Sequence, residues 1–231
     1  MRPRSEGPHS VLFNLNTGPP TSIHFRPGHG YDAFMTPDLF DHFPMRNARM
    51  HEAFGASAFA FAFALAGHMA GPVMWIRESW QTSAINPSGF SRYLDPQRML
   101  LALGRDQVEV LAIAEEALRS GAVPLVVMES GKELGLTAAR RLQLAAKAGN
   151  ATGLCLLCEG MGSNAAETRW RCQPVFDASN DAGDSTLQSW SIIKNKSGTL
   201  GSWDVRWDAK TRRIIVVSPS GKRPGSKGMP A

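Results

Sequence analysis

Formal charge disappears from one long stretch of this chain. Between Glu52 and Arg77 every residue is uncharged, over "AFGASAFAFAFALAGHMAGPVMWI". Cysteine is also scarce, with three in 231 residues: Cys155, Cys158 and Cys172. An odd count excludes a fully paired disulfide framework and points to a reducing compartment, so a cytoplasmic protein is expected. The first residues lack the short apolar core of a secretory leader, so no export signal is expected. No internal repeat is apparent. Neither a Ser/His/Asp nor a Cys/His set stands out, and no zinc-ligand spacing is present.

What remains has the composition of a globular protein, 43% hydrophobic and 19% charged. The net charge of +5 is compatible with an acidic partner, DNA included. Part of that excess sits at the ends, in Arg2 and Arg4 and in Lys222, Arg223 and Lys227. Residues 1–45 carry many Pro and Gly and read as a flexible leader; His24 and His29 within it have no partner ligands nearby in sequence. Residues 219–231 read as a disordered basic tail, leaving 46–218 as the folded domain. "CLLC" has C-x-x-C spacing but lies in an apolar strand-like run, where residues three apart face opposite ways. Buried structural thiols fit it better than a metal site.

From Met50 the pattern becomes regular. "PVMWI" (72–76) and "RMLLAL" (98–103) read as strands. "RDQVEVLAIAEEALRSG" reads as an amphipathic helix. Asp106 and Glu109 form a capping-box-like pair, Val108, Leu111, Ala114 or Glu115, and Leu118 give the helical spacing, and Gly121 stops it. "PLVVMES" (124–130) and "GLCLLCE" (153–159) are continuous apolar runs of the kind buried on both faces. Between them "TAARRLQLAAKAGN" (137–150) reads as a helix capped by Thr137. Such alternation implies βαβ units and a parallel sheet. After Gly160, "TRWRCQPVF", "LQSWSIIKNK", "GSWDVRWD" and "RRIIVVS" alternate apolar with polar residues, which predicts an antiparallel extension of the sheet.

The uncharged stretch is long enough to span a bilayer, for which about 20 residues suffice. It is rich in Ala, broken by Gly71–Pro72, and flanked by no Lys/Arg cluster, all of which argue against a membrane helix. "FAFAFAL" alternates by two, yet Phe59 and Phe63, and Phe61 and Leu65, also pair at i and i+4. With so much Ala, a helix buried all round is expected. The local order is then strand "HEAF", loop "GASA", helix, strand, which is that of a phosphate-binding strand–loop–helix unit.

"RNARMHEAFG", "EEALRSGAVPLVVMES", "LGLTAARRLQLAAKAGNATGLCLLCE" and "NAAETRWR" resemble the ImuA family, the RecA/SulA-like proteins of bacterial inducible-mutagenesis cassettes. The resemblance runs from about Arg46 to Ser218. It implies an α/β fold with a RecA-like core: a mostly parallel central sheet flanked by helices, with an antiparallel C-terminal extension. A phosphate-binding loop needs glycines for close backbone approach, a lysine for phosphate charge and a hydroxyl for magnesium. If Gly55 is its first glycine, Ala60 takes the place of the second, Phe61 of the lysine and Ala62 of the hydroxyl residue. A phenyl ring then stands where phosphate would go. The loop reads as a degenerate P-loop that binds no ATP, as the resemblance also implies, so no cofactor and no catalytic residue is expected.

Glu129 ends "LVVME" where RecA relatives carry the magnesium-site carboxylate; without the lysine, a relic or structural role follows. Glu78 lies near the position of the family's catalytic glutamate but one residue out of register, and is not assigned. Lys194 and Lys196, in "KNK", resemble the RecA-type hairpin lysines that reach a neighbouring protomer's nucleotide; a solvated turn is the competing reading. Arg140 and Arg141 on a helix, and Arg169 and Arg171 on one strand face with Trp170 between them, fit a protein interface or single-stranded nucleic acid. The short "GMGSNAAET" segment, in place of the longer DNA loop of RecA, weighs against DNA.

The resemblance implies a non-catalytic accessory factor in DNA-damage-induced mutagenesis and translesion synthesis. Its partners would be the Y-family-polymerase-like protein ImuB, an error-prone DnaE-type polymerase and RecA. Competing expectations are a SulA-like inhibitor that binds FtsZ and a RecA-like DNA-binding repair protein.

Overall fold

The apolar runs at 125–130 and 152–157 become buried strands, and the longest uncharged run forms a helix followed by a strand. A computed structural model describes residues 37–177 and 186–219. They form nine strands and four helices: β1 (Met50–Phe54), α1 (Ala58–His68), β2 (Val73–Glu78), α2 (Pro87–Phe90), β3 (Met99–Gly104), α3 (Gln107–Ser120), β4 (Leu125–Ser130), α4 (Leu136–Ala148), β5 (Thr152–Leu157), β6 (Thr168–Pro174), β7 (Gln188–Asn195), β8 (Gly201–Asp208) and β9 (Arg213–Pro219). One mixed sheet holds all nine strands, in the order β3-β2-β4-β5-β1-β6-β7-β8-β9. It is parallel from β3 to β6 and antiparallel from β6 to β9. The expected antiparallel extension therefore begins one strand later than the alternating pattern suggests. β6 itself runs parallel to β1, with Ala53 opposite Trp170, because the 158–167 connection returns the chain to the start of the sheet.

Alternate residues of the central strands feed two separate cores. On one face Ala53, Trp75, Val127, Leu154 and Trp170 pack under α1. On the other, Met50, Phe54, Val126, Met128 and Cys155 pack under α3 and α4. β4 and β5 are buried along their whole length, as their unbroken apolar sequences require. In α3 the Asp106 carboxylate accepts from the Glu109 backbone N–H at 3.0 Å, and Gly121 ends the helix at φ 65°. Its inward stripe is Val110, Ala114 and Leu118. Val108, expected on that stripe, is exposed. α4 starts at Leu136 behind Gly135, not behind a Thr137 cap.

The helix α1 answers the question posed by the uncharged stretch. It spans 11 residues, and no helix among the described residues is long and apolar enough to cross a membrane. Phe61, Ala62 and Leu65 are fully buried. Phe61 lies 4.7 Å from the Trp190 ring, edge-on, 5.2 Å from Trp170 and 5.8 Å from Phe43. Burial is not uniform round the helix: Phe59 is 42% exposed, and Phe63 is half-buried. Both stack over Trp75, at 5.6 and 4.9 Å.

The folded part also starts before Arg46. Leu39, Phe43 and Met45 are buried in the α1 core, and Trp203 Nε1 donates to the Pro37 carbonyl at 2.8 Å. The segment lacks periodicity but carries three large apolar side chains, which the tryptophans of the sheet cover. The rest of the expected leader, with His24 and His29, and the basic tail beyond Pro219 lie outside the described residues.

Phe61→Ala should cost about 3–5 kcal/mol, the range for deleting a fully enclosed aromatic ring. Urea unfolding should show the midpoint falling at an unchanged m value, with a smaller shift for Phe59→Ala.

Candidate functional site

In parallel α/β sheets, ligands bind beyond the carboxyl ends of the strands. Here that region is formed by the β1–α1 loop, the ends of β2 and β4, and the segment after β2. The β1–α1 loop has only three residues, Gly55, Ala56 and Ser57, before the helix begins at Ala58. Ala60, Phe61 and Ala62 therefore lie within α1 and not in a loop. The ring of Phe61 does not stand in the phosphate position; it points into the core. Ala is a strong helix former and the following rings gain by burial, so the helix starts earlier than a phosphate loop would allow. Gly55 is needed for another reason. Its φ is 103°, and a Cβ there would sit 2.3 Å from the Cys172 carbonyl of β6. That same carbonyl accepts from the Ser57 backbone N–H at 3.1 Å.

Glu129 lies one residue before the end of β4, and of the two expected readings, relic or structural, it has the structural one. Its Oε1 accepts from Trp75 Nε1 at 2.7 Å and its Oε2 from Arg77 Nη2 at 3.1 Å. All three side chains are buried. Arg77 also donates to Gln81 Oε1 and to the Ser83 carbonyl and hydroxyl. Sequence reasoning misses Arg77, although period two in "WIRE" puts Trp75 and Arg77 on one face, and "VME" puts Val127 and Glu129 on the same face of the neighbouring strand. Beside this pair a cavity of about 620 Å³ opens between α1 and the segment after β2, with Phe59, Phe63, Phe90 and Tyr93 among its walls and Arg77 at its floor. Burial pushes the Tyr93 hydroxyl above the usual tyrosine range.

The two "KNK" lysines fold back on the β5–β6 connection, Lys194 partly buried and Lys196 exposed. Lys194 Nζ donates to the carbonyls of Ser163, Asn164 and Ala166, at 3.0, 3.0 and 2.7 Å. Lys196 Nζ donates to the Ala165 carbonyl at 2.7 Å. Four consecutive carbonyls of the β5–β6 connection are thus held by two ammonium groups, and desolvation lowers the Lys194 pKa. The expected interface role of these lysines gives way to a structural one. Arg169 joins the same arrangement: its Nε donates to Glu52 Oε2 at 2.8 Å and its Nη2 to the Ser163 carbonyl at 3.1 Å. Glu52, almost wholly buried, also accepts from the Ser163 backbone N–H.

Arg169 and Arg171 do share a face, but Trp170 points the other way and is fully buried, as is Trp190. Neither ring is placed to stack on a base, so the basic–aromatic reading of "TRWR" is not met. Arg171 and Arg140 are exposed, and Arg141 is ion-paired with Glu115 at 2.6 Å across α3 and α4. The expected site residues therefore fall in separate places: Gly55 to Ala62 and Glu129 near the strand ends, Lys194, Lys196 and Arg169 against the β5–β6 connection, Trp170 in the core, Arg171 exposed on β6, and Arg140 with Arg141 on α4. Cys155 and Cys172 are buried thiols held well above the usual cysteine range, while Cys158 is exposed, against expectation. No group of three His, Cys, Asp or Glu gathers among the described residues.

At the opposite end of β1, His51 is fully buried. Its Nε2 lies 2.8 Å from the Arg46 carbonyl, which can only accept, so Nε2 carries the proton. Its Nδ1, unprotonated in the neutral ring, accepts at 2.7 Å from the Thr168 hydroxyl, which itself accepts from Trp170 Nε1. Desolvation holds this imidazole neutral, with its pKa lowered to about 4 despite the nearby Glu167.

Compared with protein-family models and with curated proteins, the chain matches none.

Two outcomes follow from these buried groups. Glu129→Ala leaves the Arg77 charge enclosed without its counter-ion and should cost about 3–5 kcal/mol in urea unfolding. The double variant Arg77→Met/Glu129→Met should recover most of that loss. For His51, the folded-state pKa lies below the unfolded value of 6.5, so the unfolded chain binds the extra proton. The contribution is complete above about pH 6.5 and disappears as pH falls through about 4, on the order of 3 kcal/mol in all. His51→Gln should flatten stability against pH across that window relative to the parent.

Proposed function

We propose that this chain is a RecA-like protein with a degenerate P-loop that acts as a non-catalytic adaptor in DNA-damage-induced mutagenesis and translesion synthesis. One observation carries the reading: at the strand ends, the groups that would handle a nucleotide's phosphates are replaced by groups that satisfy one another. Arg77 and Trp75 engage both oxygens of Glu129, and Phe61 contributes its ring to the core. A lysine at the head of α1 would neutralise phosphate only if it faced the loop; Phe61 is one turn inside the helix. The sheet order, with five parallel pairings and helices on both faces, is compatible with the RecA-like core that the segments around Arg119–Ser130 and Leu136–Glu159 resemble.

On this reading the fold serves as a docking body. It would bring an ImuB-type protein and an error-prone DnaE-type polymerase together, and would engage RecA through surfaces of the kind RecA protomers use on each other. Lys194 and Lys196 favour protein over DNA as the partner, because their ammonium groups are engaged by backbone carbonyls.

Pull-down with purified ImuB-type protein, DnaE-type polymerase and RecA tests this. Retention of at least one of them, with no added nucleotide, is expected. Failure to retain any of the three, or inhibition of FtsZ polymerisation in their place, would overturn it.

A further inference from the structure

Arg77 joins the strand ends to the segment that follows β2. Its Nη2 donates to Glu129 Oε2 at 3.1 Å. Its other bonds run forward along the chain, from Nε to Gln81 Oε1 at 3.1 Å, from Nη2 to the Ser83 hydroxyl at 3.1 Å, and from Nη1 to the Ser83 carbonyl. Residues 82–89 have little else to hold them. They belong to no strand, and all but Ile85 are exposed. The four-residue α2 closes on itself: Asn86 Oδ1 accepts from the Ser88 backbone N–H at 3.0 Å, and the Asn86 carbonyl accepts from Gly89 at 2.9 Å. Among the described residues, hydrogen bonds from 82–89 to groups before residue 82 or beyond residue 91 come from Arg77 alone. A Cβ added at Gly89 would meet nothing within 4 Å. Past this stretch the chain is fixed again. Phe90 is buried and stacks on Phe63 at 5.3 Å, Tyr93 packs on Trp207 at 5.0 Å, and Trp207 Nε1 donates to the Arg92 carbonyl at 2.9 Å.

We propose that residues 82–89 form a flap over the strand-end cavity, hinged at Phe90 and latched by Arg77. Segments with few buried contacts and exposed backbone open at a free energy well below that of global unfolding. Ser83, Ala84, Ile85 and Asn86 line one side of the cavity, and Phe59 and Phe63 of α1 line the other. Lifting the flap bares the aromatic side and turns the cavity into an open groove. The latch is a set of charge-assisted hydrogen bonds, roughly twice as strong as neutral ones. It is also shared, because the guanidinium that compensates Glu129 is the one that holds the flap down. Arg77 is thus a positioning residue, and its ion pair keeps it aimed at Gln81 and Ser83. The device does not depend on what the chain binds.

Elastase, which cuts after small residues, tests this on the full chain, with the cut after Ala84 followed by mass spectrometry. A protease needs several residues in extended form, so this cut requires Gln81 and Ser83 to leave Arg77. Its rate then follows the population of the open form. Arg77→Met/Glu129→Met removes the latch together with the buried charges. It should raise the rate about tenfold or more, at a urea midpoint near that of the parent. Gln81→Ala, at a half-buried position, should raise it by a smaller factor. Ser88→Ala, in the flap but with no bond to Arg77, should leave it unchanged. Parental rates in both latch variants would overturn the proposal. So would a parent cut after Ala84 as fast as a free peptide of the same sequence, or a cut whose rate rises with urea only in step with global unfolding.

Discussion

The seating of Phe61 between Trp170 and Trp190 is the contact on which the rest depends. It fixes α1 against the sheet, and α1 in turn covers Trp75, Val127 and Leu154. A helix made of alternating Phe and Ala cannot lie on a surface: the rings on at least one side must be enclosed. Here β6 and β7 supply the tryptophans, and the 37–45 segment supplies Phe43 as a lid. The uncharged stretch and the tryptophan-bearing strands, far apart in the chain, therefore specify each other.

That packing has a chemical consequence. With the helix starting at Ala58 and Phe61 turned into the core, the strand–loop–helix unit keeps only a three-residue loop, Gly55 to Ser57. The carboxylate left at the end of β4 cannot remain alone in a buried place, since an unpaired buried charge costs several kcal/mol. Arg77 and the Trp75 indole resolve this from the adjacent strand. The second cationic cluster follows the same logic. Lys194, Lys196 and Arg169 close the β5–β6 connection by capturing its carbonyls and Glu52. Both sites spend their charges on the protein's own groups.

Much of this is legible in the sequence. The central strands show as unbroken apolar runs because both faces are buried, and α3 shows its start and stop because Asp106 and Gly121 do recognisable chemistry. The local order around Gly55 is also readable. What is not readable depends on contacts between distant residues. The direction of β6 is set by how the 158–167 connection returns. The packing of Leu39 and Phe43 is set by tryptophans far along the chain. The hydrogen bonds of Lys194 and Lys196 need the carbonyls of 163–166 in place. Trp170 misleads because alternation places neighbours on opposite faces but does not say which face is covered. Glu129 can be located from its strand, but its partner Arg77 emerges only when β2 and β4 are set side by side.

On the proposed reading, the strand-end site pairs its charged groups internally in place of handling a nucleotide. Thermal unfolding with increasing magnesium–ATP tests it most directly, because any ligand that binds the folded state alone raises the midpoint by mass action. An unchanged midpoint up to millimolar nucleotide is the predicted result. A saturable rise in the midpoint, abolished in Arg77→Met/Glu129→Met, would contradict it.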